Sequence, residues 1–205
     1  MRELVYYVGV SIDGRIAGPN GEVGFYPAGD ETQAAAYSAW INAQYPETVP
    51  TALRAAHGLA DVPNQHFDTM LMGLGSYRVV LDAGITSPYA HLRQYVVSST
   101  LGASPDPDVT VVGNDPLTLV RTLKQETGQD IWLCGGGRLA GALLPEIDKL
   151  IIKSYPVVAG SGVAAFDGRF DPTAFTVTDR KSFPNDVTIT WFARHGRSMA
   201  ESLRQ

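Results

Sequence analysis

The sequence predicts a mixed, mostly parallel α/β sheet. Short Val-, Ile- and Leu-rich runs alternate with helical patterns through the middle of the chain, and the final stretch switches to alternating polar and apolar residues. Strands that alternate with helices pair in parallel, because the return crossover needs a helix, whereas two alternating stretches joined by a tight turn close an antiparallel hairpin.

"LVYYVGV" (4–10) reads as a buried strand running into the turn-rich "SIDGRIAGPNGEVG", where Asp13-Gly14 and Asn20-Gly21 are turn pairs. Asp30 then caps a helix over about 31–44, with Ala35, Tyr37, Ala39, Trp40 and Ile41 as its apolar side. Between Pro46 and Gln65, three prolines and a short helix capped by Thr51 suggest a surface excursion or lid. "FDTMLMG" (67–73) is a strand, "GSYRVVL" a short helix before Gly84, and "RQYVVSS" (93–99) and "VTVVG" (109–113) are two further strands. Asn114 or Asp115 followed by Pro116 starts a helix in which Leu117, Val120 and Leu123 share one side. "DIWLC" is a strand, "RLAGALLP" a helix and "DKLIIKSYPVV" a strand; "FTVTDRKSF", "PND" and "VTITWFAR" form the terminal hairpin.

The 205 residues, 44% hydrophobic and 18% charged, suit one domain over 1–195 with a C-terminal tail at 196–205. A net charge of -5 with scattered Lys and Arg provides no basic stripe for nucleic acid or anionic membranes. No apolar run approaches the ~20 residues that span a bilayer, and the opening segment lacks a secretory pattern. The only cysteine, Cys134, excludes an internal disulfide, and His57, His66, His91 and His195 have no metal-ligand spacing. A cytoplasmic protein that binds a small-molecule substrate, with no metal, is the expectation.

Gly135-Gly136-Gly137 follow a strand and open a helix, so their backbone N–H groups and the helix dipole can cradle a phosphate. The alternative is a tight strand-to-helix turn with close packing. With Arg138, Leu139 and Ala140 they satisfy the dinucleotide fingerprint G-x-G-x-x-A, but the acid expected ~20 positions on is missing from "YPVVAGSG". An ordinary Rossmann enzyme is therefore disfavoured.

Together these segments resemble the dihydrofolate reductase-like fold, and specifically stand-alone relatives of the C-terminal reductase domain of the riboflavin-biosynthesis bifunctional deaminase-reductase. Five motifs in register carry the resemblance: "SIDGRIA", "DTMLMGLGSY", "VVSST", "DIWLCGGG" and "DKLIIKSYPVVAGSGVAAF". It implies a three-layer fold with helices on both faces of the sheet, and a reduced nicotinamide cofactor, NADPH, lying across the strands' C-terminal edge. Carried over by position, Gly135, Gly136, Gly137, Arg138 and Leu139 would meet the pyrophosphate and ribose, and Gly73 and Ser76 the other phosphate side. Ser98 and Ser99 would stand at the adenosine end and Ile16 and Ala17 at the nicotinamide. A cis Gly-Gly bond is also implied. The family arginine that pairs with the 2'-phosphate is replaced by Leu74; Arg78, one helical turn on, is the substitute cation, and NADH becomes the alternative cofactor. Relatives commonly dimerise through the end of the sheet, which implies a homodimer using the hairpin near 175–194.

The implied activity is hydride transfer to a pyrimidine or pterin-type substrate, as in the 5-amino-6-(5-phosphoribosylamino)uracil reductase step. The alternatives are a dihydrofolate reductase-like enzyme or a catalytically inactive nucleotide-binding protein of the same fold. With no deaminase half holding zinc ligands, a bifunctional enzyme is not expected. Candidate acids are Asp30 and Glu31, which also read as helix-start residues, and Asp13, which also reads as a turn former. Cys134 reads as a buried small hydrophobe, and Phe25, Tyr37 and Trp40 as cleft or core aromatics.

Overall fold

The computed structural model describes residues 1–195; the tail expected at 196–205 lies outside the described residues. Ten strands and five α-helices follow the chain as β1 (Leu4–Val10), β2 (Arg15–Ala17), α1 (Glu31–Gln44), α2 (Thr51–Arg54), β3 (Phe67–Gly73), α3 (Leu74–Asp82), β4 (Arg93–Val97), β5 (Val109–Val112), α4 (Pro116–Gln125), β6 (Asp130–Gly135), α5 (Gly137–Leu143), β7 (Lys149–Ser154), β8 (Val163–Ala164), β9 (Phe175–Ser182) and β10 (Thr188–Arg194).

Eight strands form one sheet in the order β5-β4-β3-β6-β1-β7-β10-β9. The six from β5 to β7 run parallel, and β10 and β9 add the antiparallel hairpin. The side-chain period of two divides β1 between two cores. Leu4, Tyr6, Val8 and Val10 face α4 and α5, packing with Val120, Leu123, Leu139, Ala140 and Leu143. Val5 and Tyr7 face the other way, onto Met70, Met72, Tyr77 and Trp132, with Tyr37, Trp40 and Ile41 of α1 at the margin. Helices on both faces give the three layers expected.

Local chemistry accounts for the boundaries. Asp30 accepts from the Gln33 backbone N–H while the Gln33 side chain returns a bond to the Asp30 N–H, closing a capping box at the start of α1. Asp115 caps α4 through the Thr118 N–H, with Pro116 at the first helical position. The edge strand β9 is exposed over most of its length, and Asp179, Arg180 and Lys181 place charge along it, which discourages further strand pairing.

Two expectations need correction, while the surface excursion at 46–65, mostly exposed from residue 51 on, is anchored from within: the Glu47 side chain is fully buried and accepts the backbone N–H groups of Gln65, His66 and Phe67, and the buried Arg54 donates to the carbonyls of Pro46 and Val62. A buried carboxylate needs such donors, and they pin the segment to the start of β3. Helix α1 buries no residue completely, because its inner side at Ala34, Tyr37, Ser38 and Ile41 overhangs an open cleft, and Ala35 and Ala39, outside the cleft lining, are exposed. Strand β7 ends at Ser154 rather than continuing through "YPVV". Beyond Tyr155 the chain turns away, held by Asp13, whose carboxylate accepts the N–H groups of Ala159 and Gly160.

Candidate active site

The cleft, of about 1090 Å3, opens where β1, β3, β6 and β7 end at their C-terminal edges. This is where parallel α/β sheets place ligands, because adjacent strand ends leave a crevice that the crossovers do not fill. Two glycine-led helix starts meet beside it. Gly73 precedes α3 and Gly136 precedes α5, and neither helix has a side-chain cap on its first-turn N–H groups. A Cβ on Gly73 would lie 3.5 Å from the Gly136 nitrogen, and the Ser76 hydroxyl stands 3.5 and 3.8 Å from the Cβ positions of Gly135 and Gly136. Orphan donors from two helices thus converge beside a hydroxyl, an arrangement suited to phosphate oxygens. The Gly135–Gly136 peptide is cis, and Gly135 takes a positive φ of 140°.

The three glycines do different things. Gly136 lines the cleft. A Cβ on Gly137 would stand 2.0 Å from the Ala164 carbonyl oxygen, and one on Gly141 2.4 Å from that of Asp167. These two positions, one turn apart on α5, make room for the chain at 164–168; the Asp167 N–H donates to the Gly137 carbonyl there. The motif therefore combines a cleft-lining glycine with close backbone packing.

Of the other sequence candidates, Ile16, Ala17, Ser76 and Arg78 line the same cleft. Arg78 is exposed on α3 and makes no ion pair among the described residues. Leu139 is buried in the core under α5, and Arg138 points to solvent, 3.4 Å from Asp167. Ser98, at the end of β4, accepts the N–H groups of Thr100 and Leu101, and Ser99 beside it is exposed.

The candidate acids stand apart from the cleft lining. Asp13 accepts from the Ser11 hydroxyl and the Ala159 and Gly160 amides, which hold its carboxyl down at about 2. Asp30 is occupied in capping α1, and Glu31 is exposed in its first turn. The carboxylate that does line the cleft is Asp82, exposed at the far end of α3.

Tyrosines form much of the inner wall. Tyr26 and Tyr155 pack with ring centroids 4.4 Å apart and planes tilted by 35°, and the hydroxyls of Tyr37 and Tyr155 lie 3.1 Å from each other. Burial pushes the Tyr26 phenol up to about 12 and raises those of Tyr7, Tyr37 and Tyr155, so all four remain neutral donors. Cys134 also lines the cleft, its thiol pushed up to about 12 by burial, which leaves it protonated and unreactive. Trp40 packs on Phe183 and Trp191, and Phe25 stacks on Tyr26 outside the lining. No group of His, Cys, Asp and Glu among the described residues could hold a metal ion.

Sequence reasoning passed over Lys153. It projects from β7 into the cleft, its Nζ 4.1 Å from the Tyr7 ring centroid, and burial lowers its ammonium to about 8. The available signal was a lysine inside an otherwise apolar strand, "LIIKS".

Residues 2–189 match the model of the RibD C-terminal domain. The chain belongs to the RibD C-terminal domain family. Within this family setting, uncharacterized protein YwjB of Bacillus subtilis strain 168 is 28% identical over 190 residues, covering 92% of this chain and 96% of that protein. A crystal structure named "Putative riboflavin biosynthesis protein", from Shewanella sp. PV-4, has the same fold at a TM-score of 0.66, with 21% identity over 95% of this chain and 99% of that one. A diaminohydroxyphosphoribosylaminopyrimidine deaminase/5-amino-6-(5-phosphoribosylamino)uracil reductase from Thermotoga maritima gives a TM-score of 0.61 and 14% identity, over 95% of this chain and 57% of that longer one. The RibD C-terminal domain is thus present here on the reductase-type fold, and no helix among the described residues is long and apolar enough to cross a membrane.

Proposed function

We propose that the chain is an NADPH-dependent reductase of a pyrimidine or pterin-type substrate, on the pattern of the 5-amino-6-(5-phosphoribosylamino)uracil reductase step. The observation that carries this reading is the meeting of two uncapped helix starts at Gly73 and Gly136 beside Ser76, on the floor of a tyrosine-walled cleft. Those donors fit a pyrophosphate, and Ile16 and Ala17 offer a nicotinamide ring an adjacent wall. Arg78 is the cation available to a 2'-phosphate, and Ser98 and Ser99 belong to the adenosine end in this reading. When bound, the reduced nicotinamide supplies a hydride to the substrate.

The chain's own contribution is orientation and exclusion of water. The tyrosine pair Tyr26 and Tyr155 gives a planar ring an aromatic surface, and, because one of the Tyr37 and Tyr155 hydroxyls donates to the other, the remaining O–H of that pair donates a hydrogen bond to it. Asp13, Asp30 and Glu31, the acids proposed for proton supply, serve turns and a helix start outside the lining. That placement favours the second reading, a nucleotide-binding protein of this fold without catalysis. NADPH oxidation measured with the ribosylamino-pyrimidine and, separately, with dihydrofolate decides between them: turnover of either supports the reductase, and cofactor binding with no turnover of either supports the inactive relative.

The same reading includes a homodimer formed through the hairpin of β9 and β10, whose exposed Val177 offers an apolar contact. Light scattering of the purified protein at twice the chain mass supports it, and the chain mass contradicts it.

A further inference from the structure

Lys153 is the unusual group in the cleft. Lys124 and Lys149 have carboxylate partners in Asp148 and Glu3, whereas Lys153 has none among the described residues and rests on the Tyr7 ring. Tyr7 is 3% exposed, lines the same cleft, and its hydroxyl has no hydrogen-bond partner. Thr48 is near enough to influence it, but its hydroxyl donates to the Tyr45 carbonyl and makes no hydrogen bond with Tyr7. A buried hydroxyl without a partner and a half-buried cation without a counter-charge are each costly, and both costs are removed by one ligand oxygen that accepts from the two. Opposite Lys153 on β1 stands Gly9, whose missing side chain makes room for the Tyr155 ring, 3.1 Å from where its Cβ would be, so the ammonium and that ring share one face of the sheet.

We propose that Lys153 and Tyr7 together form an oxyanion subsite, and that the cleft takes a planar aromatic ligand bearing a single anionic oxygen, either a carboxylate or an ionised ring oxygen. The subsite rests on the cleft being the substrate site of the proposed reductase. One cation and one neutral donor match a monoanion; a phosphate dianion calls for more donors, and the helix starts at Gly73 and Gly136 already provide for phosphate. The tyrosine walls select for a ring, and the Lys153–Tyr7 pair sets which edge of it points inward.

The groups facing Lys153 are Tyr7 from β1 and Cys134 from β6, with Tyr155, just past the end of β7, and Tyr37 from α1 lining the same cleft, while β10 sets the uncharged Ile189 opposite it. All four ionisable neighbours are held neutral by burial. Ligand charge recognition therefore follows the ammonium alone, and affinity for an anion falls as pH rises through about 8.

Benzoate and its neutral counterpart benzamide test this by saturation-transfer NMR, with NADPH titrated separately on the same samples. The wild-type protein should bind benzoate about tenfold more tightly than benzamide at pH 7, in line with one charge-assisted hydrogen bond. Lys153→Met should abolish the preference, and Tyr7→Phe should weaken benzoate while keeping it. Absence of benzoate binding at millimolar concentrations, equal binding of the two probes, or an undiminished preference in Lys153→Met overturns the subsite. A benzoate preference without NADPH binding sinks the reductase reading and leaves the oxyanion subsite standing.

Discussion

Gly73 and Gly136 bring two helix starts together: a side chain on the first would begin 3.5 Å from the backbone nitrogen of the second. The uncapped starts of α3 and α5 thereby border one small volume, and Ser76, at the third position of α3, shares it. Substitutions here separate binding from folding. In Ser76→Glu a carboxylate enters the first turn of α3, where the helix dipole favours it, but it repels a bound phosphate. Thermal stability should stay within about 0.5 kcal/mol or rise slightly, while NADPH affinity drops by at least about tenfold. Gly137→Ala should do the reverse in kind: its methyl collides with the Ala164 carbonyl at 2.0 Å, and the overpacking should cost about 2 kcal/mol. Calorimetry and cofactor titration on both variants check the distinction.

Arg78 is the cleft cation on α3, standing one turn beyond the half-buried Leu74. An exposed pair with a phosphate is worth at most about 1 kcal/mol, so Arg78→Ala should weaken NADPH by about fivefold. NADH, which lacks the 2'-phosphate, should be unaffected. Equal loss for both cofactors would place Arg78 elsewhere on the dinucleotide.

The buried Glu47 holds three backbone amides, including those that lead into β3. Removing the carboxylate leaves these donors without partners, and Glu47→Ala should lower unfolding free energy by about 3 kcal/mol. Chemical denaturation followed by tryptophan fluorescence reads this directly; a change within about 0.5 kcal/mol would show that the 46–65 segment contributes little to the fold.

Asp13 ties the loop after β1 to Ala159 and Gly160, and its carboxyl is held at about 2, below the ordinary carboxylate value. The folded value lies below the unfolded one, so this contribution is whole above about pH 4 and is lost as pH falls toward 2. Denaturation midpoints of the wild type should fall over that window relative to those of Asp13→Asn, which lacks the titrating group; parallel curves would contradict the assignment.

The sequence revealed features set by local rules. Asp30 and Gln33 stand three apart and close the capping box as their types require, and the alternating hairpin residues pair where the period of two places them. The glycine run located the strand-to-helix turn, yet it could not separate Gly136, which lines the cleft, from Gly137, which yields to Ala164, because the packing segment lies far along the chain. Glu47 sits among prolines, and nothing near it in sequence shows that its three amide partners arrive from residues 65–67. Lys153 was hidden for a related reason: its setting is created by Tyr7 and Gly9 on β1 and by the lack of a nearby carboxylate, and neither is a property of "LIIKS" itself.

The central claim is that the paired helix starts hold a dinucleotide. Trp132 lines the cleft, so NADPH titrated into the protein should report through energy transfer from tryptophan to the bound nicotinamide. The account predicts saturable binding that Ser76→Glu weakens by at least about tenfold while the protein stays folded. No saturable binding, or binding that is indifferent to a charge at Ser76, would contradict it.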